Sequence, residues 1–556
     1  MLRLFPWLTR WPVLSAKGMS DVHANIDCRL ELGILTRAWL TLRIHLHALH
    51  ETPRAYSLAA WWRIRGKRVR AHAQFAPLLA RSPLAYRLWI ATEPSPPIRF
   101  GSSQGAARIV ALIHDDKADA HALARTQASL AAQGIPALIA VPSSSAADLF
   151  DGHAECWIMP IFAGDMLAPG AGEAYRRAIT PGTRLIYSDD DLLGTQGQRH
   201  SPHFKPTWNS ELFRHLDYLT GACILRAHAS TIAELGDGWP ARIVAAVATA
   251  DEGMVSHIAQ VLHHRRGRPA PHRLPAVPIE DAALPRASVI IPTRNGLDLL
   301  RTCMEGLART RYPDMEIIIV DNGSDDPATL AYLDALRAAG HHILHHPGPF
   351  NFSSLNNRAA AQASGDLLCL LNNDIEIVDP DWLRIMAVQA LRPDIGAVGA
   401  QLLYPDGRIQ HAGVVLGICG GAAHAHRLLR PDEEGYHRRH ALPQFTSAVT
   451  AACLVVQRAH FEAVGGLDET HFPVAFNDVD FCMRLNRMGW QSLYEPRARL
   501  IHHESVSRGF DRDSVGAARL AGELAALKDA WGTHEVVDPF HHPQLNRFSE
   551  HFVVRL

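Results

Sequence analysis

Residues 287–377 alternate short apolar runs with helical patterns, and this alternation constrains the fold more than any other feature of the chain. The runs Ser288–Thr293 and Glu316–Val320 are rich in β-branched residues, as are strands that are buried on both faces of a parallel sheet. The segment between them repeats its apolar residues at a helical period. The pattern predicts an α/β fold built on a doubly wound sheet.

Polar clusters follow three of the predicted strands, where Asn295, Asp321 and Asp374 each stand just past an apolar run. Ligands of open α/β sheets bind outside the carboxyl ends of the strands, so we expect these residues to converge. Taken singly, the cluster at Asp321 is typical of a capped tight turn, and the one at Asp374 is typical of a polar loop. Their combination favours a nucleotide-sugar site, where one carboxylate meets the base and another holds a cation beside the diphosphate.

These residues resemble the inverting glycosyltransferases of family 2, which have the GT-A fold. The resemblance runs in family order from about Ala287 to Phe510, and it points to the rhamnosyltransferase-like branch that builds O-antigen and other surface polysaccharides. Its motifs are Ser288-Val-Ile-Ile-Pro-Thr-Arg-Asn295, Ile319-Val-Asp-Asn-Gly-Ser324, Phe350-Asn-Phe-Ser-Ser-Leu-Asn-Asn357, Leu371-Asn-Asn-Asp374, Ile409-Gln-His-Ala-Gly413, Phe476-Asn-Asp-Val-Asp-Phe-Cys482 and His502-His-Glu-Ser-Val-Ser-Arg-Gly509. It implies a nucleotide-sugar donor and a glycan or lipid-linked glycan acceptor.

The resemblance assigns a donor pocket in which Asp321 reads the nucleobase. The other residues of this nucleotide-sugar site are Pro292, Arg294, Asn322, Asn357, Asn372 and Asn373.

A divalent metal, Mn²⁺ or Mg²⁺, is also implied. The segment Asn372-Asn-Asp374 takes the place of the family's Asp-x-Asp motif, and Asn372 replaces its first Asp, so Asp374 is the one carboxylate ligand. A histidine near the end of the domain completes the metal site in the family. His502 fits this position, with His503 as the second choice and a surface histidine as the ordinary alternative.

The resemblance and the chemistry of inversion together make Asp478 the expected catalytic base, which takes the proton of the attacking acceptor hydroxyl. Asp480 is spaced to pair with Arg484 at i,i+4, so it supports the helix or an acceptor group. The alternative is an ordinary helix start, capped by Asn477, in which both acids favour the helix dipole.

Acceptor contacts are expected around His411, in the segment Gln410–Gly413. The Gly- and His-rich stretch that follows, 417–426, suggests a mobile loop that closes on the acceptor, or a plain flexible loop. Residues Ser447–Cys453 are small and β-branched and predict a buried strand.

A second α/β pattern begins near Arg108 and contains Ile186–Asp191 and the Phe204–Trp208 block, which resemble the later part of a family 2 domain. No Asp-Asn-Gly-Ser counterpart follows its second apolar run, and no acidic base motif precedes Val255. We interpret it as a shortened, degenerate GT-A-like domain. The alternatives are a second active site at Asp189–Asp191 and an acidic loop that starts a helix.

A length of 556 residues predicts two or three domains. The expected division is a mainly helical N-terminal region at 1–100, the degenerate domain at 101–268, a linker at 269–286, the catalytic domain at 287–512 and a helical tail at 513–556. Near Trp61 and Trp62 the N-terminal region is strongly basic, which suits either a solvated helix face or contact with an anionic membrane.

Composition limits the remaining choices. A formal net charge of −1 and the absence of a basic, aromatic stripe in the catalytic half argue against a nucleic-acid partner. Eight scattered cysteines suit a reducing cytosol. Met1–Leu14 is too interrupted for a signal-peptide core, and no uninterrupted apolar run is long enough to span a bilayer. We therefore expect a cytoplasmic protein, either free or peripheral to the inner face of the plasma membrane.

Three functions fit the sequence. A polysaccharide glycosyltransferase is favoured, a catalytically inactive glycan- or nucleotide-binding scaffold is the second, and a nucleotidyltransferase is the third. The last needs a triphosphate loop rich in glycine and lysine, which residues 292–296 do not provide.

Overall fold

The computed structural model describes residues 33–93, 107–115, 119–140, 155–228, 236, 238–250, 254–272, 274–278, 284–503 and 514–556. It opens with four helices: α1 (Ile34–Glu51), α2 (Pro53–Ile64), α3 (Arg68–Ala80) and α4 (Ala85–Thr92). The predicted helical N-terminal region is therefore confirmed. Helix α4 attaches it to the rest of the chain, because the Tyr86 hydroxyl donates a hydrogen bond to Asp191 at 2.7 Å.

A first, eight-stranded sheet follows. Its elements are β1 (Ile109–His114), α5 (Ala120–Ala132), β2 (Ala137–Ile139), β3 (Glu155–Phe162), β4 (Met166–Leu167), α6 (Ala171–Ala178), β5 (Leu185–Leu193), β6 (Arg199–His203), α7 (Ser210–Phe213), β7 (Cys223–His228), α8 (Trp239–Ala250) and β8 (Val255–Arg265). The strand order is β2-β1-β3-β7-β5-β8-β4, and β6 pairs with β5.

The second sheet has ten strands. Its elements are β9 (Ala287–Thr293), α9 (Leu297–Ala308), β10 (Met315–Asp321), α10 (Pro327–Ala338), β11 (His342–His345), α11 (Phe352–Ala360), β12 (Leu367–Leu371), β13 (Ile375–Ile377), α12 (Trp382–Ala390), β14 (Ile395–Leu403), β15 (Ile409–His411), β16 (Val414–Leu416), β17 (Ala422–His424), β18 (Gln444–Thr446), β19 (Cys453–Gln457), α13 (Arg458–Ala463), α14 (Asn477–Arg487) and β20 (Gln491–His502). The strand order is β11-β10-β9-β12-β19-β14-β20-β13. Outside this order, β15 pairs with β14 and β18 pairs with β20, while β16 and β17 form a separate two-stranded sheet. Helix α15 (Ser514–Trp531) follows.

The two sheets repeat one topology. The order β2-β1-β3-β7-β5-β8-β4 corresponds strand by strand to β10-β9-β12-β19-β14-β20-β13. The directions also agree, since β1 is parallel to β2 and β3 just as β9 is parallel to β10 and β12, while β7 and β19 are antiparallel to both of their neighbours. The predicted α/β fold with mixed sheets is therefore confirmed, and the first sheet is a shorter copy of the second.

Alternate residues of the central strands enter opposite cores, as a sheet covered on both faces requires. Val289 and Ile291 of β9 belong to one buried apolar cluster, whereas Ile290 between them belongs to the other. The middle residues of β9, β10 and β12 are apolar because both faces of the sheet are covered, and the polar residues of these strands, Ser288, Thr293, Glu316 and Asp321, stand at or next to the strand ends. Binding and catalytic residues are therefore expected at the strand ends.

Two predictions for the second half were wrong. Residues 447–452 are buried but do not form a strand, and strand β19 begins only at Cys453. The segment turns toward the strand ends instead of pairing along the sheet. The stretch 417–426 is not an irregular loop. Its residues Ala422–His424 form β17, which pairs with β16 in a β-hairpin, and residues 417–421 connect the two strands. Asp538 of the C-terminal segment accepts a hydrogen bond from the Leu416 amide at 2.6 Å.

Polar contacts join the two sheets. Asn209 donates to the Phe445 carbonyl at 2.9 Å and accepts the Phe445 amide at 3.1 Å, and Glu211 lies 2.8 Å from Arg392. None of the helices in the described residues combines the length and apolar character that a bilayer crossing requires.

Candidate active site

The carboxyl ends of three neighbouring strands are tied together, as the sequence predicts. Asn295, after β9, donates its backbone amide hydrogen to the Ser324 hydroxyl oxygen and exchanges two hydrogen bonds with Asp325, after β10. Asn373, after β12, donates to Thr293 at 3.0 Å. Asn295 holds a positive φ of 51°, a conformation that asparagine tolerates better than most residues.

These strand ends form one wall of an open cleft of about 1140 Å³, a volume sufficient for a small-molecule ligand. The opposite wall comes from the β16–β17 hairpin, the segment 450–452 and the start of α14. Seven of the residues predicted from the sequence line this cleft: Pro292, Arg294, Asn372, Asn373, Asp374, Asp478 and His502.

Asp374 and His502 face each other in the cleft. His502 Nε2 lies 3.0 Å from Asp374 Oδ1, and both side chains are more than nine-tenths buried. His502 Nδ1 lies 2.8 Å from Gln410 Oε1, which can only accept, so the ring hydrogen belongs on Nδ1 and Nε2 presents a lone pair. Asp374 Oδ1 receives no hydrogen bond from the described residues. Two converging acceptors in a buried site are what a divalent cation needs, so these residues fit the implied metal.

His503, the second choice for this ligand, lies 2.9 Å from Glu376 instead. Residues 504–509, which end the last motif of the predicted set, lie outside the described residues.

Asp478 stands in the first turn of α14, on the same side of the helix as Cys482, as its spacing predicts. The Ala451 amide donates to Asp478 Oδ2 at 3.2 Å, and the neighbouring Ala452 carbonyl accepts the Asn372 amide at 3.0 Å. The segment 450–452 therefore joins Asp478 to the strand end that carries Asp374. Burial raises the pKa of Asp478, and hydrogen bonds from Ala451 and Thr450 partly offset this.

The backbone that presents Asp478 is strained. Phe476 holds a φ of 60°, which is uncommon for an aromatic residue and recurs at functional sites. The buried Glu523 of α15 accepts the Val474 and Ala475 amides at 2.8 and 3.0 Å and so fixes the preceding turn. Asn477 does not cap the helix with its side chain, which donates instead to the Val474 carbonyl.

Asp480 and Asn357 support the site from outside the cleft. Asp480 accepts hydrogen bonds from Arg484 at 2.9 Å and from Trp531 at 3.0 Å, so the predicted i,i+4 pair is present. Asn357 was expected among the donor-binding residues, but it braces the Gly466 bend before α14, accepting the Leu467 amide at 2.8 Å and donating to the Leu467 carbonyl. A Cβ on Gly466 would meet Asn357 at 2.6 Å.

Asp321 and Asn322 lie at the end of β10 but are not among the residues that line the cleft. Asp321 Oδ1 accepts hydrogen bonds from the amide and hydroxyl of Ser324, and its Oδ2 lies 3.1 Å from His345 Nδ1. Asn322 donates to the His346 carbonyl at 2.9 Å. The nucleobase-reading role assigned to Asp321 stays a prediction.

His411 is buried beside the cleft and reaches it through His424. The two Nδ1 atoms lie 2.8 Å apart, so one ring donates to the other, and His424 lines the cleft. Burial lowers the pKa of His411 well below its ordinary value, and the neighbouring rings of His424 and His502 add to this. His424, rather than His411, is therefore the residue of this pair that faces the cleft, and the acceptor contact expected at His411 stays a prediction.

The first sheet places an Asp and a His at the corresponding positions. Asp165 immediately precedes β4, whose Met166 pairs with His264, just as Asp374 precedes β13, whose Ile375 pairs with His502. In the first sheet, however, the Arg265 guanidinium stands 3.7 Å from Asp165, where a cation would bind. Helix α8 corresponds to α14 but has no acidic residue in its first turn.

Asp189, Asp190 and Asp191 are fully buried, and each is paired with basic side chains. Their partners are His257 and His542 for Asp189, Lys205, Arg265 and Arg268 for Asp190, and Arg199 and His264 for Asp191. Burial opposes ionisation, but these neighbours outweigh it and lower the pKa of all three carboxyls. The arrangement favours a structural ion cluster over a second active site.

Asp189, His257 and His542 form the one group of three potential metal ligands found among the described residues, with ligand atoms within 4.8 Å of one another. The Gln544 amide donates to His542 Nδ1 at 3.0 Å. Since Nδ1 accepts, the ring hydrogen belongs on Nε2, the atom that lies 2.8 Å from Asp189. That tautomer suits an ion cluster better than a metal ligand.

Sequence reasoning missed Gln410, His424, Thr450 and Glu523. Gln410 stood inside a recognised motif and could have been found there. His424 and Thr450 stood in the stretches 417–426 and Ser447–Cys453, whose structure was predicted wrongly, and Glu523 reaches the site from a distant helix that no local pattern marks.

Residues 288–461 match the family model for Glycosyl transferase family 2. The chain is 36% identical over 423 residues to Uncharacterized protein y4gI of Sinorhizobium fredii, covering 67% of this chain and 46% of that protein. It is 35% identical over 412 residues to O-antigen biosynthesis protein RfbC of Myxococcus xanthus, covering 66% and 32% respectively. The chain therefore spans half or less of these two relatives.

A shorter relative is N-acetylglucosaminyl-diphospho-decaprenol L-rhamnosyltransferase of Mycobacterium tuberculosis, 27% identical over 235 residues, or 39% of this chain and 75% of that protein. Among solved structures, the chain is similar to the mannosyltransferase PcManGT from Pyrobaculum calidifontis in complex with GDP-Man and Mn²⁺. The TM-score is 0.34 at 17% identity, over 45% of this chain and 66% of that chain.

Proposed function

We propose that this chain, which carries a glycosyl transferase family 2 domain, moves a sugar from a nucleoside-diphosphate sugar to a growing glycan with inversion. The observation that carries the proposal is the joining of Asp478 to the Asp374–His502 pair across the segment 450–452. Such a cleft offers both a proton acceptor and a site for the cation that a diphosphate requires.

In the proposed reaction, Asp478 takes the proton of the acceptor hydroxyl while that oxygen attacks the anomeric carbon. The bond from the anomeric carbon to the diphosphate oxygen breaks on the opposite face, and the nucleoside diphosphate leaves. The raised pKa of Asp478 makes it a better proton acceptor than an exposed aspartate, because burial destabilises the charged form.

Asp374 and His502 would hold Mn²⁺ or Mg²⁺, which supplies positive charge for the leaving diphosphate. Gln410 fixes the His502 ring so that Nε2 points at Asp374. Pro292, Arg294, Asn372 and Asn373 line the cleft on the donor side. Asp321 and Asn322 would then meet the base through a rearrangement of the turn at Ser324.

We assign the acceptor to the side of the cleft formed by the β16–β17 hairpin, where His424 is supported by His411. The names of two relatives, an O-antigen biosynthesis protein and a rhamnosyltransferase, support surface-polysaccharide assembly as the context and a hexose or deoxyhexose as the sugar. We propose that the first sheet is a degenerate copy without catalysis, because Arg265 takes the cation's place and α8 lacks a base.

The proposal is tested by thermal stabilisation of the purified protein with a panel of nucleoside diphosphates and nucleotide sugars, with and without Mn²⁺ or Mg²⁺. Wild type is compared with Asp374→Ala and with Asp379→Ala as a control outside the cleft. A metal-dependent shift with one nucleotide, lost only in Asp374→Ala, supports the assignment. Pyrophosphate release from a triphosphate and a sugar phosphate would instead mean a nucleotidyltransferase. A protein that binds the donor but catalyses neither sugar transfer nor donor hydrolysis would be a binding scaffold.

A further inference from the structure

Helix α1 carries an apolar stripe that faces solvent. Its members are Leu35, Trp39, Leu42, Leu46 and Leu49, whose spacing alternates between four residues and three, and their exposed fractions range from 39% to 86%. This spacing keeps the five side chains on one line along the helix. Five large apolar residues in a row on the surface indicate an interaction site, whereas scattered ones do not.

The stripe is not the side of α1 that packs on the protein. Leu40 and Ile44 are buried and pack against Leu88 of α4, and Ala48 is buried on the same side. At roughly 100° per residue, the stripe lies about 180° around the helix from these residues. Helix α1 is therefore apolar on two opposite faces, only one of which is covered within the described residues.

The helical region is also strongly basic. Residues 33–93 contain ten Lys and Arg against two acidic residues, a formal charge of +8 in a chain whose total is −1. All ten cationic residues are exposed. Five of them lie together at the α2–α3 turn: Arg63, Arg65, Lys67, Arg68 and Arg70. An apolar face beside such a charge complements an anionic, partly apolar surface.

Aromatic residues at this turn bring apolar surface and positive charge together. Arg65 lies over the Trp61 ring at 5.0 Å, and Lys67 lies over the Trp62 ring at 4.7 Å. Between them Ile64 is 84% exposed. Tryptophan beside arginine and lysine is typical of helices that lie at the level of lipid headgroups.

The other side of the helical region fixes it to the protein. Tyr86 of α4 donates to Asp191, and Trp89 of α4 packs against Phe204 in the first sheet. Helix α1 packs on α4 with the face that carries Leu40 and Ile44. The stripe is on the opposite face of α1, which points away from α4 and the first sheet.

We propose that helices α1 to α3 dock on an anionic lipid surface, with the α1 stripe in the interface and the cationic residues of the α2–α3 turn on the headgroups. A second copy of this chain is the less favourable occupant, because pairing two stripes would bring two regions of charge +8 together. The docking does not depend on the proposed function, and it leaves the cleft of the second sheet unchanged.

The test is co-sedimentation of the full chain with vesicles of phosphatidylcholine alone and of phosphatidylcholine mixed with phosphatidylglycerol, at low and high salt. Wild type is compared with Leu42→Ser/Leu46→Ser and with Arg63→Gln/Arg65→Gln/Arg68→Gln. The matched controls are Val378→Ser/Met488→Ser and Arg301→Gln/Arg309→Gln/Arg337→Gln, which change exposed residues in the second half of the chain. Circular dichroism and thermal unfolding verify that each variant is folded.

We expect wild type and controls to bind only the phosphatidylglycerol vesicles, less tightly at high salt, and both test variants to bind about 100-fold more weakly. Absence of wild-type binding overturns the proposal. So does wild-type-like binding by the leucine variant, which would place the contact elsewhere, for example in residues 1–32. A concentration-dependent dimer in sedimentation velocity that the leucine variant lacks would assign the stripe to a second copy. Because nucleotide stabilisation is measured separately, failure here is distinguishable from failure of the proposed function.

Discussion

His502 Nε2 lies 3.0 Å from Asp374 Oδ1, although the hydrogen of the His502 ring is directed to Gln410 on the other side. Two buried ligand atoms therefore converge; Nε2 has the Asn372 side-chain amide 3.4 Å away, and Asp374 Oδ1 receives no hydrogen bond from the described residues. A positive charge between the two atoms would make this contact favourable, which is the physical basis for placing a divalent cation there.

Gln410→Leu should weaken Mn²⁺ binding about 10- to 100-fold, because Gln410 sets the orientation and tautomer of the His502 ring. The measurement is the Mn²⁺ concentration dependence of nucleotide-induced stabilisation. Gln457→Leu is the control, since Gln457 bonds the Ala390 carbonyl away from the cleft. Equal metal affinity in the two variants would contradict the assigned role.

Asp478→Asn should lower transfer about 10²- to 10⁴-fold while nucleotide stabilisation stays at the wild-type level, because only the proton acceptor is lost. Asp480→Asn provides the contrast. It removes charge from the contacts with Arg484 and Trp531, so it should lower the melting temperature more than the rate per folded molecule. The reverse pattern, with Asp480→Asn inactive and Asp478→Asn active, would exchange the two roles.

The pH dependence of transfer should show an acid limb above the ordinary range of an aspartate, since burial raises the pKa of Asp478. The base works only when deprotonated, so the rate falls as the pH drops through this raised pKa. Thr450→Val removes a hydrogen bond that favours the charged form, and it should move the limb to higher pH. The check is kcat/KM against pH, and a limb that stays in place in Thr450→Val would argue against Asp478 as the titrating base.

Lys205→Met should destabilise the chain by about 3 kcal/mol, because it leaves part of the Asp190 charge in the interior of the first sheet without its nearest cation. Lys205 Nζ lies 2.7 Å from Asp190, and both side chains are fully buried. Arg266→Met breaks a solvent-exposed pair with Asp119 and should destabilise the chain much less than Lys205→Met. Urea unfolding of the two variants measures the difference, and equal losses would be inconsistent with a structural ion cluster.

Acid should loosen the contact between the two sheets. Burial opposes ionisation of Glu211, but a hydrogen bond with His215 and the positive charges of Arg392 and Arg214 outweigh it and lower its pKa to about 2. A lowered folded-state pKa contributes stability above pH 4.5 that is lost as the pH falls toward 2. Over that window the loss approaches about 3 kcal/mol. Glu211→Gln should flatten this part of the stability curve measured by urea unfolding, whereas Glu173→Gln should leave it unchanged.

The sequence by itself determined the layers of the second sheet and the ends of its strands that carry polar residues. Continuous apolar runs such as Ile317–Val320 can only be buried on both faces, and their abrupt change to polar residues marks the carboxyl end. Asp374 was identified in this way, His502 and Asp478 were identified by the family resemblance, and all three lie in one cleft. The i,i+4 pair of Asp480 and Arg484 also follows from helix geometry alone.

Only the tertiary structure decided which residues face the cleft and what holds them. Asn357 stands in a recognised motif yet braces the bend at Gly466, while His424, Thr450 and Glu523 reach the site from distant elements. The local sequence also could not show that Asp189–Asp191 is paired with basic side chains from β8, from Arg268 just after it and from the C-terminal segment. Local patterns record which residues need burial, whereas partners far apart in the chain are chosen by the packing of complete elements, which no short segment encodes.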